Sequence, residues 1–351
     1  MELDYLITGQ GLAGTLLGFE LMKTGQRVHF IDAPVFQKAS SVAAGLINPV
    51  VFRRLNKSWL VDELYPHMTE TYAELENLLG RRFFFPMKIC KVFGQGEADF
   101  WRKKSVENQL EPYVTVEPDF TPRPFLNLPY GCGWVEKSGR VDLPGLLDSF
   151  KKHLLQGNLL QPEIFDFSKL EVHRDGIRYK DFEARKIIFC EGHRASQNPF
   201  FGNIKFRHTK GEVLDLTVNN YQADSILNKA CFFMPAGENR FRLGATYNWD
   251  QLDEIPTENG KNELTSKLEH IYTADYRISG HRAGIRPTTH DRRPVIGMHP
   301  GDPAVAIFNG LGSKGCLLGP YFARQFSDYL TGNTGQLHPE VDVARYFGAE
   351  P

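Results

Sequence analysis

Residues 3–32 constrain the fold of this 351-residue chain more than any other stretch. An apolar run from Leu3 to Thr8 leads into Gly9-Gln10-Gly11-Leu12-Ala13-Gly14. An amphipathic run to Thr24 follows, and then a second apolar run, Arg27 to Ile31, ending on Asp32. Strand, glycine turn, helix, strand and terminal acid together make the dinucleotide-binding fingerprint in the context it requires. Gly9 permits the tight turn out of the strand, Gly11 lets backbone approach a pyrophosphate, and Gly14 lets helix and strand pack closely. The helix N-terminus adds unpaired N–H groups and a positive dipole end. Asp32 is placed to accept ribose hydroxyls. The unit opens a Rossmann-like α/β domain.

Length and charge narrow the rest. A chain of 351 residues exceeds the usual single core, so two domains are expected. With 41 basic and 42 acidic residues, no global field recruits nucleic acid or anionic membrane. Five scattered cysteines lack metal-ligand spacing and suit a reducing compartment. The apolar N-terminus is interrupted by Asp4 and Glu20 and lacks a basic start, so it reads as the first strand and helix rather than a signal peptide. No window is long and apolar enough for a membrane span. The expectation is a soluble cytoplasmic protein with no membrane partner.

Further along, a loop of small residues spans Ala33 to Asn56, and a helix with apolar three-to-four spacing spans Trp59 to Leu79, where Pro66 should kink it or mark its start. Prolines between Phe83 and Glu136 suggest strands and loops only. Asp142 caps a helix to Leu155, with Pro144 in its first turn. Three or four strands follow over Leu159 to Phe189. A second strand-rich block covers Thr209 to Tyr247, and a helix spans Asn262 to Ile271. Strands at Pro294–Met298 and Ala304–Phe308 precede a glycine-rich loop and a helix over Gly315–Leu330. The parse is discontinuous: a nucleotide-binding domain from residues 1–84, 141–207 and 284–351, and a substrate-binding domain from 85–140 and 208–283.

Several separated motifs, in order, resemble the D-amino-acid oxidase (DAO) family of flavoproteins. Beyond the fingerprint these are Ser40-Ser41-Val42-Ala43-Ala44-Gly45-Leu46-Ile47, Ser138 to Leu143, Ile187 to Gly192, Lys210-Gly211-Glu212-Val213, Gly284-Ile285-Arg286-Pro287 with Asp291, Pro294, Ile296 and Gly297, and Gly310-Leu311-Gly312-Ser313-Lys314-Gly315. The resemblance implies an α/β fold with an FAD-binding domain of the glutathione-reductase-like type and an inserted β-sheet substrate domain. It is similar to glycine oxidase, and to the FAD-dependent oxidase half of the bacterial tRNA methylaminomethyl-uridine biosynthesis protein. The chain has no room for that protein's methyltransferase half.

The resemblance assigns roles residue by residue. The cofactor set comprises Gly9, Gly11, Leu12, Ala13, Gly14, Asp32, Ala33, Ser40, Ser41, Ala44, Gly45, Leu46, Ile47, Val172, Cys190, Glu191, Gly192, Gly284, Gly310, Leu311, Gly312, Ser313 and Gly315. Arg286 matches the arginine that binds the substrate carboxylate, a task suited to a planar, permanently charged fork. The loop to Gly315 would aim N–H groups and Lys314 at the flavin pyrimidine edge, where negative charge gathers on reduction. Two departures stand out: Phe232 where glycine oxidases carry a tyrosine, and Ser313 near their second carboxylate-binding arginine. Tyr247 reads as a strand-packing residue and His281 as a loop residue. Covalent attachment positions fall on Gly284 and Val42, so noncovalent FAD is expected.

The implied reaction oxidises the C–N bond of a small carboxylate-bearing amine, with oxygen or another acceptor taking the electrons. Two alternatives stay open: a stand-alone oxidase acting on a modified tRNA uridine, using basic residues such as Arg53, Arg54, Lys57, Arg81, Arg82, Arg102, Lys103 and Lys104, or a flavoprotein ligand sensor without turnover.

Overall fold

The computed structural model describes residues 2–219 and 221–348. Two large sheets organise it. The first has eight strands, and its centre is parallel: Leu160–Pro162, Val28–Asp32, Glu2–Thr8 and Phe182–Phe189 lie side by side, and Val305–Asn309 continues the parallel run beside Phe182–Phe189. Both faces are covered, so Glu2–Thr8 and Val28–Asp32 are buried almost throughout. Helices Leu12–Lys23 and Gly315–Leu330 pack on one another against this sheet. Gly319 makes that approach possible, because a Cβ there would lie 2.6 Å from Leu16 Cδ1.

The second sheet has seven strands in the order Arg277–Arg286, Thr209–Thr217, Arg240–Gly244, Phe232–Gly237, Ile226–Asn228, Ile89–Val92 and Cys132–Val135. It is antiparallel except where Ile226–Asn228 runs parallel to Ile89–Val92. Its inner face holds a separate apolar cluster that includes Leu214, Phe233, Phe241 and Leu264.

Several expectations need correction. Residues 83–136 also contain a helix, Glu97–Glu107, which begins after Gly96 at φ +77° and carries so much charge that no apolar stripe announces it. The helix expected to kink or start at Pro66 runs unbroken from Val61 to Leu79; Leu60, left-handed at φ 51°, marks its start. The Ala33–Asn56 loop folds into a short helix, Ala39–Val42, and small strand pairs. The helix expected from Asn262 starts a turn earlier, at Glu258, with the Thr257 side chain accepting from Gly260 N. The ten-residue strand Arg277–Arg286 has no clear sequence signal, because Arg277, Ile278 and Ser279 are exposed and no apolar alternation runs along its outer half. Two expectations match the structure directly: Asp142 caps Leu143–Gln156, and the last long helix spans Gly315–Leu330. No helix among the described residues is long and apolar enough to cross a membrane.

Candidate active site

A cavity of about 620 Å³ extends from the turn after the first strand to the inner edge of the second sheet. Glycine backbone forms its nucleotide side. Gly9 takes φ +93°, and a Cβ on it would sit 2.5 Å from the Cys190 carbonyl oxygen. A Cβ on Gly14 would sit 2.0 Å from the Gly9 carbonyl oxygen. Gly14 therefore shapes the turn from behind and does not line the cavity. Gly45 is equally constrained: its φ is +77°, and a Cβ on it would sit 2.0 Å from the Val141 carbonyl oxygen.

Helices Leu12–Lys23 and Gly315–Leu330 both begin at the cavity wall, and in neither does the preceding residue cap the start with its own side chain. N–H groups at two helix starts suit a diphosphate and an electron-rich ring edge. Glycine cradle and helix ends thus fit FAD. The Leu12 N–H already donates to Ser40 Oγ at 3.1 Å, which ties the fingerprint to the Ala39–Val42 turn.

Asp32 is buried and does not stand free for ribose. Its carboxylate accepts from Gln10 N at 2.9 Å and from Lys38 Nζ at 2.6 Å, and Lys38 also reaches the Gln10 carbonyl at 3.1 Å. Lys38, which belongs to the Lys38-Ala39-Ser40-Ser41 stretch of the resemblance but takes no role from the sequence, also lines the cavity.

Most other expected residues line the cavity: Gly9, Gly11, Leu12, Ala13, Asp32, Ala33, Ser40, Ala44, Gly45, Leu46, Cys190, Glu191, Gly192, Gly284, Leu311, Gly312, Ser313 and Gly315, with Arg286 and Lys314. Four more do not, besides Gly14. Ser41 turns back to donate to the Lys38 carbonyl, Ile47 is wholly buried in the core, and Gly310 shapes a turn at φ +74°. Val172 sits on the edge hairpin Leu170–His173, while Glu163, Ile164, Phe165 and Phe167 supply the wall from that part of the chain.

Arg286 ends the strand Arg277–Arg286, two residues beyond Gly284 and on the same face. Gly284 pairs with Gly211 on the neighbouring strand; Gly211 makes room for the guanidinium, whereas Gly284 packs against Val42 and Ala39. A Cβ on Gly211 would lie 2.0 Å from Arg286 Nη2. The guanidinium donates to the Lys210 and Thr246 carbonyls, each at 3.3 Å, and lies 4.4 Å from the Tyr247 ring centroid. No described carboxylate pairs with it. The three acids in the lining have other partners: Asp32 has Lys38, Glu163 has Lys180, and Glu191 accepts from Asn198 Nδ2 at 2.8 Å. Burial lowers the Arg286 pKa, which makes an anionic partner the natural complement.

Lys314 donates to the Asn48 carbonyl at 3.3 Å and to Ser58 Oγ, and burial pushes its pKa down to about 8. Burial raises Glu191 to about 7 and lowers His193 to about 4. Phe232 contributes apolar wall. Tyr247 is a cavity residue rather than strand packing, because the regular strand ends at Gly244 and the chain pairs with Lys210 again only at Asn248. His281 is on a strand rather than a loop, with Nε2 2.8 Å from Glu212 Oε2, outside the cavity lining.

Comparison with known proteins agrees with this construction. The family model for DAO, described as FAD dependent oxidoreductase, matches residues 4–329. The glycine oxidase of Bacillus subtilis is 27% identical, over 93% of this chain and 92% of that protein. The tRNA 5-methylaminomethyl-2-thiouridine biosynthesis bifunctional protein of Leptospira interrogans is 20% identical, over 83% of this chain but 47% of that protein. Among solved structures, glycine oxidase from Bacillus cereus superimposes with a TM-score of 0.82 at 17% identity, covering 96% of this chain and 99% of that one.

Proposed function

The chain belongs to the DAO family of FAD-dependent oxidoreductases, and from that premise we propose that it oxidises the C–N bond of a small amine bearing a carboxylate, either an amino acid or an N-substituted glycine. The observation that carries this reading is the cavity-facing Arg286 guanidinium without a carboxylate partner among the described residues. A buried cation held only by carbonyls gains most from an anion presented in its plane.

In this reading Arg286 fixes the carboxylate and thereby the α-carbon. Gly211 keeps the guanidinium's path clear, and the Lys210 and Thr246 carbonyls fix its plane. Lys314, held by Asn48 and Ser58, presents positive charge to the flavin's pyrimidine edge below about pH 8. Phe232 keeps water from the reacting carbon. No residue is assigned as general base; the amine sheds its proton to solvent on binding. The glycine turn and the helix starts at Leu12 and Gly315 would hold FAD, which when bound would supply the two-electron oxidant for the amine. The imine product hydrolyses in water. With Val42 and Gly284 at the attachment positions, FAD is held noncovalently, and oxygen or another acceptor takes the electrons.

The tRNA reading gains no support from the surface. Of the eight basic residues considered for it, Lys57, Arg81, Arg102, Lys103 and Lys104 are ion-paired to neighbouring acids.

The test is anaerobic flavin reduction. An N-substituted glycine such as sarcosine should bleach the flavin, and dimethylamine, which lacks only the carboxylate, should not. Equal bleaching by both would sink the proposal.

A further inference from the structure

Beside Arg286 the chain displays two aromatic rings that the reaction as described does not use. Tyr247 is 55% exposed and Trp249 51% exposed, yet they lie together, with centroids 6.2 Å apart and planes 26° from parallel. Tyr247 also lines the cavity and meets the Arg286 guanidinium, so the pair continues the cavity outward from the carboxylate anchor.

Their exposure does not come from a loose loop. Asn248, between them, forms a two-way backbone bridge with Lys210: Lys210 N to Asn248 O at 2.8 Å and Asn248 N to Lys210 O at 3.0 Å. The Asn248 side chain accepts from Asp250 N and Gln251 N at 2.9 and 3.0 Å. Further along, Asp253 is tied at 2.6 Å to Lys210 Nζ, whose side chain is wholly buried. A loop fastened at this many points holds its rings in water at a cost that a partner ring removes.

Resting on the proposed reading of Arg286 as carboxylate anchor, we propose that Tyr247 and Trp249 form a substrate subsite for a planar apolar group. The substrate class is then an amino carboxylate with a benzyl-sized planar substituent, on its nitrogen or its α-carbon, rather than glycine itself. The carboxylate sits on Arg286 and the substituent lies along the two rings, which select it by stacking.

Non-oxidisable carboxylates test this on the FAD-loaded protein, with perturbation of the flavin spectrum giving dissociation constants. Benzyloxyacetate carries its ring on the atom that replaces the amine nitrogen; 3-phenylpropionate carries it on the α-carbon. Their small counterparts are methoxyacetate and propionate. At least one aromatic ligand should bind about tenfold more tightly than its small counterpart, and which one gains identifies where the substituent sits. Trp249→Ala should abolish the gain and Trp249→Phe should keep most of it. The inference is overturned if neither aromatic ligand gains, or if the gain survives Trp249→Ala. A failure of the carboxylate reading would look different: none of the four ligands would perturb the flavin.

Discussion

The two sheets build their halves of the site by different means. The parallel sheet offers backbone: a glycine turn, two helix starts and few functional side chains. The antiparallel sheet offers side chains, namely Arg286, Tyr247 and Phe232, with Gly211 leaving space for Arg286 and Gly244 for Phe232. In the proposed reading, backbone meets the cofactor and side chains meet the substrate.

Substitutions can break this comparison. Gly14→Ala should have the largest effect, because its methyl would meet the Gly9 carbonyl with no room to move. A penalty of roughly 3 kcal/mol or more is expected, and the purified protein should be colourless. Gly211→Ala should act differently, since its methyl meets the mobile end of Arg286. The protein should stay yellow while carboxylate binding weakens by about 2–3 kcal/mol, measured by titration of the flavin spectrum. Loss of FAD in Gly211→Ala would contradict the division between the halves.

Glu191 sharpens the comparison, being an acid within the backbone-built half. Its folded-state pKa, about 7, lies above the ordinary 4.5, because burial penalises the charged form. The folded state therefore holds a proton that the unfolded chain has released between those values. The resulting destabilisation is absent below pH 4.5, grows up to about pH 7 and is complete above it. Glu191→Gln should stabilise the cofactor-free protein by about 2 kcal/mol at pH 8 and hardly at all at pH 4.5. Equal effects at both pH values in denaturant titrations would show that Glu191 does not titrate this way. The smallest effect is expected for Lys38→Met, which strips Asp32 of its ion pair. FAD affinity should fall by about 1 kcal/mol; a larger loss than for Gly14→Ala would mean that side chains, not backbone, hold the cofactor.

The same division explains what is legible in the sequence. The fingerprint is local: Gly9, Gly11 and Gly14 act on neighbours a few residues away, and the helix over Gly315–Leu330 shows its own apolar face. The Arg286 pocket depends on strands far apart in the chain, where register alone brings Gly211 opposite Gly284. Tyr247 reads as strand packing because nothing local reveals that the strand stops at Gly244. Lys38 takes no role from the sequence because its partners, Asp32 and Gln10, meet it only after the turn folds. Val172 falls off the cavity for a related reason: the hairpin carrying it pairs at the sheet edge, and the preceding Glu163–Phe167 segment supplies the wall.

The central claim is that Arg286 is the carboxylate anchor. The most direct measurement is the dissociation constant of methoxyacetate on FAD-loaded wild-type, Arg286→Lys and Arg286→Ala proteins. The account predicts about 100-fold weaker binding in Arg286→Ala and a partial recovery in Arg286→Lys, which restores charge without the planar fork. Binding by Arg286→Ala within about twofold of wild type would contradict it.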